Sequence, residues 1–161
     1  MQKITPFLWF DNNAEEAIEF YQSIFENTKV GKVVRYSDAV PGMGGKVLTA
    51  SIEILGQQFT FLNGGPKYKF TEAISFVIPC QTQEEVDHYW QRLTEGGEES
   101  RCGWLKDKFG LSWQVVPNAL ITMLEDKDAQ RSSRVMQAML QMRKIELPVL
   151  EKAYEGKETA V

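Results

Sequence analysis

Asn13-Ala14-Glu15-Glu16-Ala17-Ile18-Glu19-Phe20-Tyr21 and Thr82-Gln83-Glu84-Glu85-Val86-Asp87-His88-Tyr89-Trp90 are two versions of one pattern. They superpose at a constant offset of 69 residues. Glu15-Glu16 falls on Glu84-Glu85, Ala17 on Val86, and Phe20-Tyr21 on Tyr89-Trp90. Each opens with a capping residue, Asn13 or Thr82, followed three positions later by Glu16 or Glu85. In such a capping box the side chain and backbone satisfy each other's unpaired groups. The spacing predicts amphipathic helices over about 13–26 and 82–95. The paired acids sit at helix N-termini, where the macrodipole favours negative charge, so they require no acid-base role.

Reading outward, each helix is preceded by an apolar run of strand length, Ile4–Phe10 and Ala73–Pro79, with Phe7 falling on Phe76. After the first helix come strand signals at Lys29–Ser37, a loop over Asp38–Gly45, Lys46–Ile54, a turn at Leu55-Gly56, and Gln57–Leu62. The second series is compressed: Glu98–Cys102, Gly103–Asp107, a turn at Phe109-Gly110, and Leu111–Val116. Here Phe59 falls on Trp113 at an offset of 54. Each half therefore reads strand, helix, strand, strand, strand, with Asn63-Gly64-Gly65-Pro66 as the linker. Beyond the repeat, Ala119–Leu124, Asp128–Ile145 and Leu147–Tyr154 predict three further helical segments, and the last residues, Gly156–Val161, are expected to fray.

Composition narrows the function classes. The 161 residues are 43% hydrophobic and 25% charged, ordinary for a globular chain. Lys plus Arg number 18 against 22 Asp plus Glu, a net charge of −4 with no basic run, which argues against a nucleic-acid partner. No apolar stretch approaches the roughly 18–20 residues that span a bilayer, and the N-terminus lacks the apolar segment of a secretory signal. With only Cys80 and Cys102, a cytoplasmic protein with free thiols is expected. The single histidine, His88, rules out metal sites with two His ligands from one chain. It points away from the apolar face of its helix and reads as a surface residue.

A tandem strand-helix-strand-strand-strand unit resembles the vicinal-oxygen-chelate superfamily, the fold of glyoxalase, bleomycin-resistance proteins and extradiol dioxygenases. The resemblance sharpens at Pro6-Phe7-Leu8-Trp9-Phe10-Asp11, at Phe61-Leu62-Asn63-Gly64-Gly65-Pro66, and from Cys102-Gly103-Trp104-Leu105-Lys106-Asp107-Lys108-Phe109-Gly110 on to Trp113-Gln114-Val115-Val116-Pro117. These stretches are similar to the PhnB-like subgroup, which carries the family name 3-demethylubiquinone-9 3-methyltransferase. The similarity extends over about residues 3–155. It implies an α+β fold of paired βαβββ modules whose curved, mixed sheets form a cup, with helices appended at the C-terminus. Residues 1–117 would form the glyoxalase-like domain (repeats about 3–63 and 72–117). Residues 118–161 would form a helical extension on that domain or on the partner of a homodimer. The methyltransferase name fits the residues poorly. The glycine cluster Gly42-Met43-Gly44-Gly45 leads into a strand pattern, so no helix N-terminus follows it to hold an anionic cofactor group.

The superfamily usually places a divalent metal in its cup, held by His, Glu or Gln from the first and last strands of each repeat. Carrying those places over by the repeat offsets gives Pro6, Thr60, Ser75 and Gln114. None is a histidine or a carboxylate, so a metal of the family type is not expected, and no other cofactor is implied. Strand alternation puts Thr60, Ser75, Ser112 and Gln114 on one face. Phe59, Phe61, Phe76, Trp113 and Val115 fall on the other, toward the helices. The expected ligand pocket comprises Phe10, Thr60, Leu62, Ser75, Cys102, Trp104, Ser112 and Gln114. Cys102 is either a buried inert thiol or a pocket contact. The run Lys106-Asp107-Lys108 reads as a solvated turn. Met136, Met139 and Met142 read as packing or dimer contact. Two functions stay open: metal-independent binding of a small aromatic or hydrophobic molecule, and a lyase, isomerase or transferase acting on one.

Overall fold

The computed structural model describes residues 3–157. The chain divides into two compact units, Met1–Phe70 and Thr71–Val161. The first contains β1 (Phe7–Phe10), α1 (Ala14–Ile24), β2 (Lys29–Arg35), β3 (Val47–Ile54) and β4 (Gln57–Asn63). The second opens with β5 (Ser75–Cys80), α2 (Gln83–Thr94), β6 (Glu98–Glu99), β7 (Trp104–Lys106) and β8 (Ser112–Pro117). It continues into α3 (Asn118–Leu124), α4 (Ala129–Met139) and α5 (Leu147–Glu155). The two four-stranded sheets have the same order, β1-β4-β3-β2 and β5-β8-β7-β6. In both, the first strand runs parallel to the last and the other pairings are antiparallel. The expected duplication of a βαβββ module is therefore a property of the fold.

Each sheet buries one face. In the first unit Leu8, Phe10, Ile52, Phe59 and Phe61 are buried, as are Ala17, Ile18, Tyr21 and Ile24 of α1. The Tyr21 and Phe61 rings lie 5.9 Å apart, and Phe10 stands 4.7 Å from Phe61. In the second unit Val86, Trp90 and Leu93 of α2 are buried, and so are Ile78, Leu105, Trp113 and Val115 of the sheet it packs on. Each of these large side chains contributes about 1.5–3 kcal/mol by leaving water.

The two modules differ where strand meets helix. Thr82 caps α2 as expected, accepting from the Glu85 amide at 3.2 Å, while Glu85 accepts from the Gln81 amide at 2.8 Å. The matching box on α1 does not form, because Asn13 makes no side-chain cap. Instead Asn63, at the end of β4, accepts from the Ala14 amide at 2.9 Å and donates to Glu15 at 2.6 Å and to the Val47 carbonyl at 3.0 Å. A residue 49 positions away thus does the work of a local cap. The strand-to-helix connection is also one residue longer in the first module, Asp11–Asn13 against Gln81-Thr82, with Asn12 at φ 57°. The strands therefore superpose one position off the helices. Phe7 corresponds to Val77, not to Phe76: Phe7 pairs with Thr60 and Val77 with Gln114.

Several strands are shorter than expected. β1 starts only at Phe7, leaving Ile4 98% exposed. β6 spans two residues, because Cys102 and Gly103 turn to φ 56° and 84° and break the ladder. That turn is a docking point. The Cys102 and Gly103 amides donate to the carbonyls of Met142 and Arg143, and a Cβ on Gly103 would lie 2.9 Å from the Val115 carbonyl oxygen. The helix expected over 128–145 accordingly ends at Met139, freeing the chain beyond it to accept these bonds. Val116, Leu120, Val135, Met142, Ile145 and Leu150 form the core beneath α3–α5, and Gln83 ties α2 to the Leu147 amide at 2.7 Å.

Asp107 is the largest departure from expectation. It is not solvated but 2% exposed. Its carboxylate accepts from the amides of Phe109 and Leu111 at 2.9 and 3.1 Å and from the Trp113 indole at 2.9 Å. A buried carboxylate that collects three N–H donors holds the β7–β8 connection shut. Asp107→Ala strands those donors and is expected to lower stability by about 3 kcal/mol in urea unfolding. Asp107→Asn keeps one acceptor oxygen but presents an amide donor, and should fall between the two.

Candidate small-molecule site

The strand registers sort the expected site residues by face. In the first unit Thr60 pairs with Phe7 and Ser51, and Leu62 with Trp9 and Thr49, so these share the face opposite the helix. Phe10 does not share it. It is 2% exposed among the buried aromatics, its ring 5.2 Å from Phe70. On the face opposite α1 Phe7 is 59% exposed, and its counterpart in the second unit, Val77, on the face opposite α2, is 55% exposed.

In the second unit three ladders align the polar positions. Trp104, Gln114 and Val77 form one row across β7, β8 and β5. Lys106, Ser112 and Ser75 form the next. The Gln114 amide donates to the Ser75 hydroxyl at 2.9 Å, so two residues carried over from distant strands do meet. Ser112 is 1% exposed and its hydroxyl has no hydrogen-bond partner. It lines a cavity of about 120 Å³ with Glu72, Glu98, Trp104 and Lys106. Lys106 is ion-paired with Glu72. Glu72 hydrogen-bonds Lys106 and raises its pKa, with Glu98 adding a smaller push, while the same bond lowers that of Glu72. From the sequence, Glu72 lies three residues before Ser75 and so on the wrong strand face. It reaches the cavity because β5 begins only at Ser75, so strand alternation does not govern Glu72, and its ion pair with Lys106 is not legible from spacing.

Cys102 turns away from this row. Its thiol contacts the Met139 carbonyl at 3.6 Å, at the end of α4. His88 is exposed, its ring 5.0 Å from that of Tyr89. A wider groove of about 510 Å³ in the first unit is lined by Asn12, Glu15, Arg35, Lys46 and Asn63. Most of its polar groups have structural duties. Asn63 and Glu15 hold the start of α1, and Arg35 donates to the Gly45 carbonyl at 2.9 Å.

The residues do not fit a metal of the superfamily type. The one-residue strand slip changes the first-strand place carried over from the superfamily from Pro6 to Thr5 and adds no imidazole or carboxylate to the set. Among the described residues no group of three or more His, Cys, Asp or Glu side chains could hold a metal ion. The glycine-rich turn Gly42–Gly45 leads into β3, not a helix, and so lacks the cradle for an anionic cofactor group. No helix among the described residues is long and apolar enough to cross a membrane.

Paired βαβββ modules with an open, mixed sheet face define a protein of the vicinal-oxygen-chelate type. The family model for 3-demethylubiquinone-9 3-methyltransferase matches residues 2–116, and the chain belongs to that family. The match stops short of the C-terminal helices, which the resemblance was expected to include. The PhnB protein from Bacillus cereus is 35% identical, with 72% of this chain and 99% of that one covered at a TM-score of 0.65. A Pseudomonas aeruginosa protein shares the fold at 19% identity, 73% and 98% coverage and a TM-score of 0.60. The fosfomycin resistance protein FosX from Listeria monocytogenes does so at 16% identity, 78% and 98% coverage and a TM-score of 0.56. A search of curated proteins finds no match.

The two thiols should behave differently. Cys80 is fully buried, and burial, helped by the charge of Glu85, pushes its pKa up to about 12. An unfolded thiol ionises near 8.5. Between the two values the unfolded chain releases a proton that the native chain keeps, so stability falls as pH rises through that window. A thiol-disulfide reagent at pH 8 is expected to spare Cys80 until the protein is unfolded in urea. Rapid labelling of Cys80 in the native state would contradict this burial.

Proposed function

We propose that this protein binds a small aromatic or hydrophobic molecule on the face of its second sheet opposite α2, without a family-type metal. The observation that carries the reading is the buried, unpartnered Ser112 hydroxyl at the wall of a cavity beside Trp104. Buried polar groups are normally paired, and one left open next to a cavity is suited to a ligand. Trp104 offers an aromatic surface and Val77 an exposed apolar one. Gln114 and Ser75, already joined, would present their remaining hydrogen-bonding capacity to a ligand oxygen or nitrogen.

Binding is favoured over turnover by the protonation states. Gln114, Ser75 and Ser112 do not titrate near neutral pH, and Glu72 and Lys106 each hold the other in its charged form. A general acid or base works best with a pKa near the working pH, and the shifts of Glu72 and Lys106 both lead away from it. A homodimer is also part of the proposal. Strand β2 is an exposed sheet edge bearing Val30, Val33 and Val34, each about 40% exposed, and a second copy would cover it.

Mass spectrometry of the purified protein under native conditions, with elemental analysis, tests the reading. The expected result is a bound organic molecule and less than stoichiometric metal. Trp104→Ala should reduce ligand occupancy at least tenfold, with unfolding midpoint nearly unchanged. Stoichiometric zinc, nickel, iron or manganese lost on Gln114→Ala would overturn it. Light scattering should give twice the chain mass, and Val33→Lys should shift it toward the monomer.

A further inference from the structure

We infer that the ligand of the Ser112 cavity carries a protonated amine, an inference that rests on the reading of this face as a binding surface. Three observations lead there. The first is charge. Glu98 pairs across the ladder with Lys106, and Lys106 is already ion-paired with Glu72. Glu99 also lines the cavity, but its carboxylate accepts from the Trp90 indole at 2.9 Å and is ion-paired with Arg143 at 3.8 Å, so it adds no net charge. One lysine thus stands between two carboxylates at the wall of one cavity, an excess of a single negative charge. An anion would meet Glu72 and Glu98, a neutral molecule would leave the excess, and a monocation would balance it.

The second observation is the Ser112 hydroxyl, which is buried and free to accept from an N–H. The third is Trp104, whose indole face attracts a cation held next to it. A metal cation is a poor occupant. Three carboxylates, two of them already ion-paired, and a hydroxyl fall short of the six to eight oxygen ligands of calcium, and zinc would want histidine or thiolate. The cavity of about 120 Å³ takes an ammonium head and a short linker, and no more. The apolar body would lie outside it along Gln114 and Val77. The ligand class is therefore a small primary amine tethered to an aromatic or alkyl group.

Three matched probes test this: 2-phenylethylamine, 2-phenylethanol and 3-phenylpropionate, titrated into isotope-labelled full-length protein and followed at the Trp104 indole and Ser112 amide resonances. The amine should bind at least tenfold more tightly than the alcohol, with no saturable binding of the acid. Glu98→Gln should bring amine and alcohol within threefold of each other. Ser112→Ala should weaken amine binding while leaving the free protein at least as stable, because it removes an unpartnered buried hydroxyl. Equal affinity for amine and alcohol would overturn the ammonium assignment and leave the binding face standing. Loss of stability in Ser112→Ala without loss of amine binding would assign the hydroxyl to the core. Absence of any shift at Trp104 and Ser112 with all three probes would overturn the assignment and the binding face together.

Discussion

The parallel ladder between the first and last strand of each module is the constraint on which the rest depends. β1 lies on β4 from Phe7–Thr60 to Phe10–Asn63, and β5 on β8 from Ser75–Ser112 to Cys80–Pro117. Parallel neighbours cannot be joined by a tight turn, so the chain must make a long excursion before it returns. Each module fills that excursion with one helix and two antiparallel strands. The helix takes one face of the sheet and brings Tyr21 or Trp90 down onto it. The other face has no helix of its own module, and there the pleat collects Thr60 and Leu62 in one unit, Ser75, Ser112 and Gln114 in the other. The division between helix-packed and open-face residues follows from that pairing, through the period-two alternation of side chains.

The same constraint is met by different chemistry in the two copies. Asn63 and Pro117 end the closing strands of their modules. Asn63 has an amide that can accept and donate at once, and it reaches the start of α1, Glu15 and Val47 together. It is followed by Gly64, where a Cβ would come within 2.3 Å of the Trp9 ring, so only glycine lets the chain leave there. Pro117 has no such amide. It instead occupies the cap position of α3 and sends the chain into the C-terminal helices, while α2 relies on its own Thr82. The hairpins diverge likewise. Leu55 and Gly56 turn tightly with φ 47° and 80°, whereas the longer second turn is held by the buried Asp107 carboxylate.

Much of this was legible in the sequence, and the limits have physical causes. The duplicated helix pattern, the strand order and the packed aromatic face of Phe59, Phe61, Trp113 and Val115 rest on periodicity, which is local and repeated. The Asn63 cap was not legible, because it is made across 49 residues and depends on where β4 ends. The one-residue strand slip was hidden because the helices superpose perfectly at 69 while the connection before them differs by a residue in left-handed conformation. Asp107 was misread for a related reason: flanked by two lysines, it looks solvated, yet alternation turns it inward onto Trp113. In the candidate site, Ser75, Ser112, Gln114 and Trp104 were brought to one sheet face as expected, but Phe10 was displaced to the packed face and Cys102 to the end of α4.

What remains on the open face of the second sheet is chemically consistent. At two of the places where the superfamily would put His, Glu or Gln metal ligands, this chain has an amide and a hydroxyl that satisfy each other, Gln114 on Ser75. Such a pair is stable without a cation. The charges lie one row away, where Lys106 and Glu72 hold each other ionised. Held in their charged forms, these groups set the sign of the field beside Trp104. On the proposed reading, a surface with fixed charges, a paired amide and one unpaired buried hydroxyl would discriminate among ligands by hydrogen bonding and charge, because leaving Ser112 unsatisfied costs more than satisfying it gains in water. The βαβββ frame therefore keeps its parallel closing ladder and its open-face polar row with residues that satisfy each other across β5 and β8.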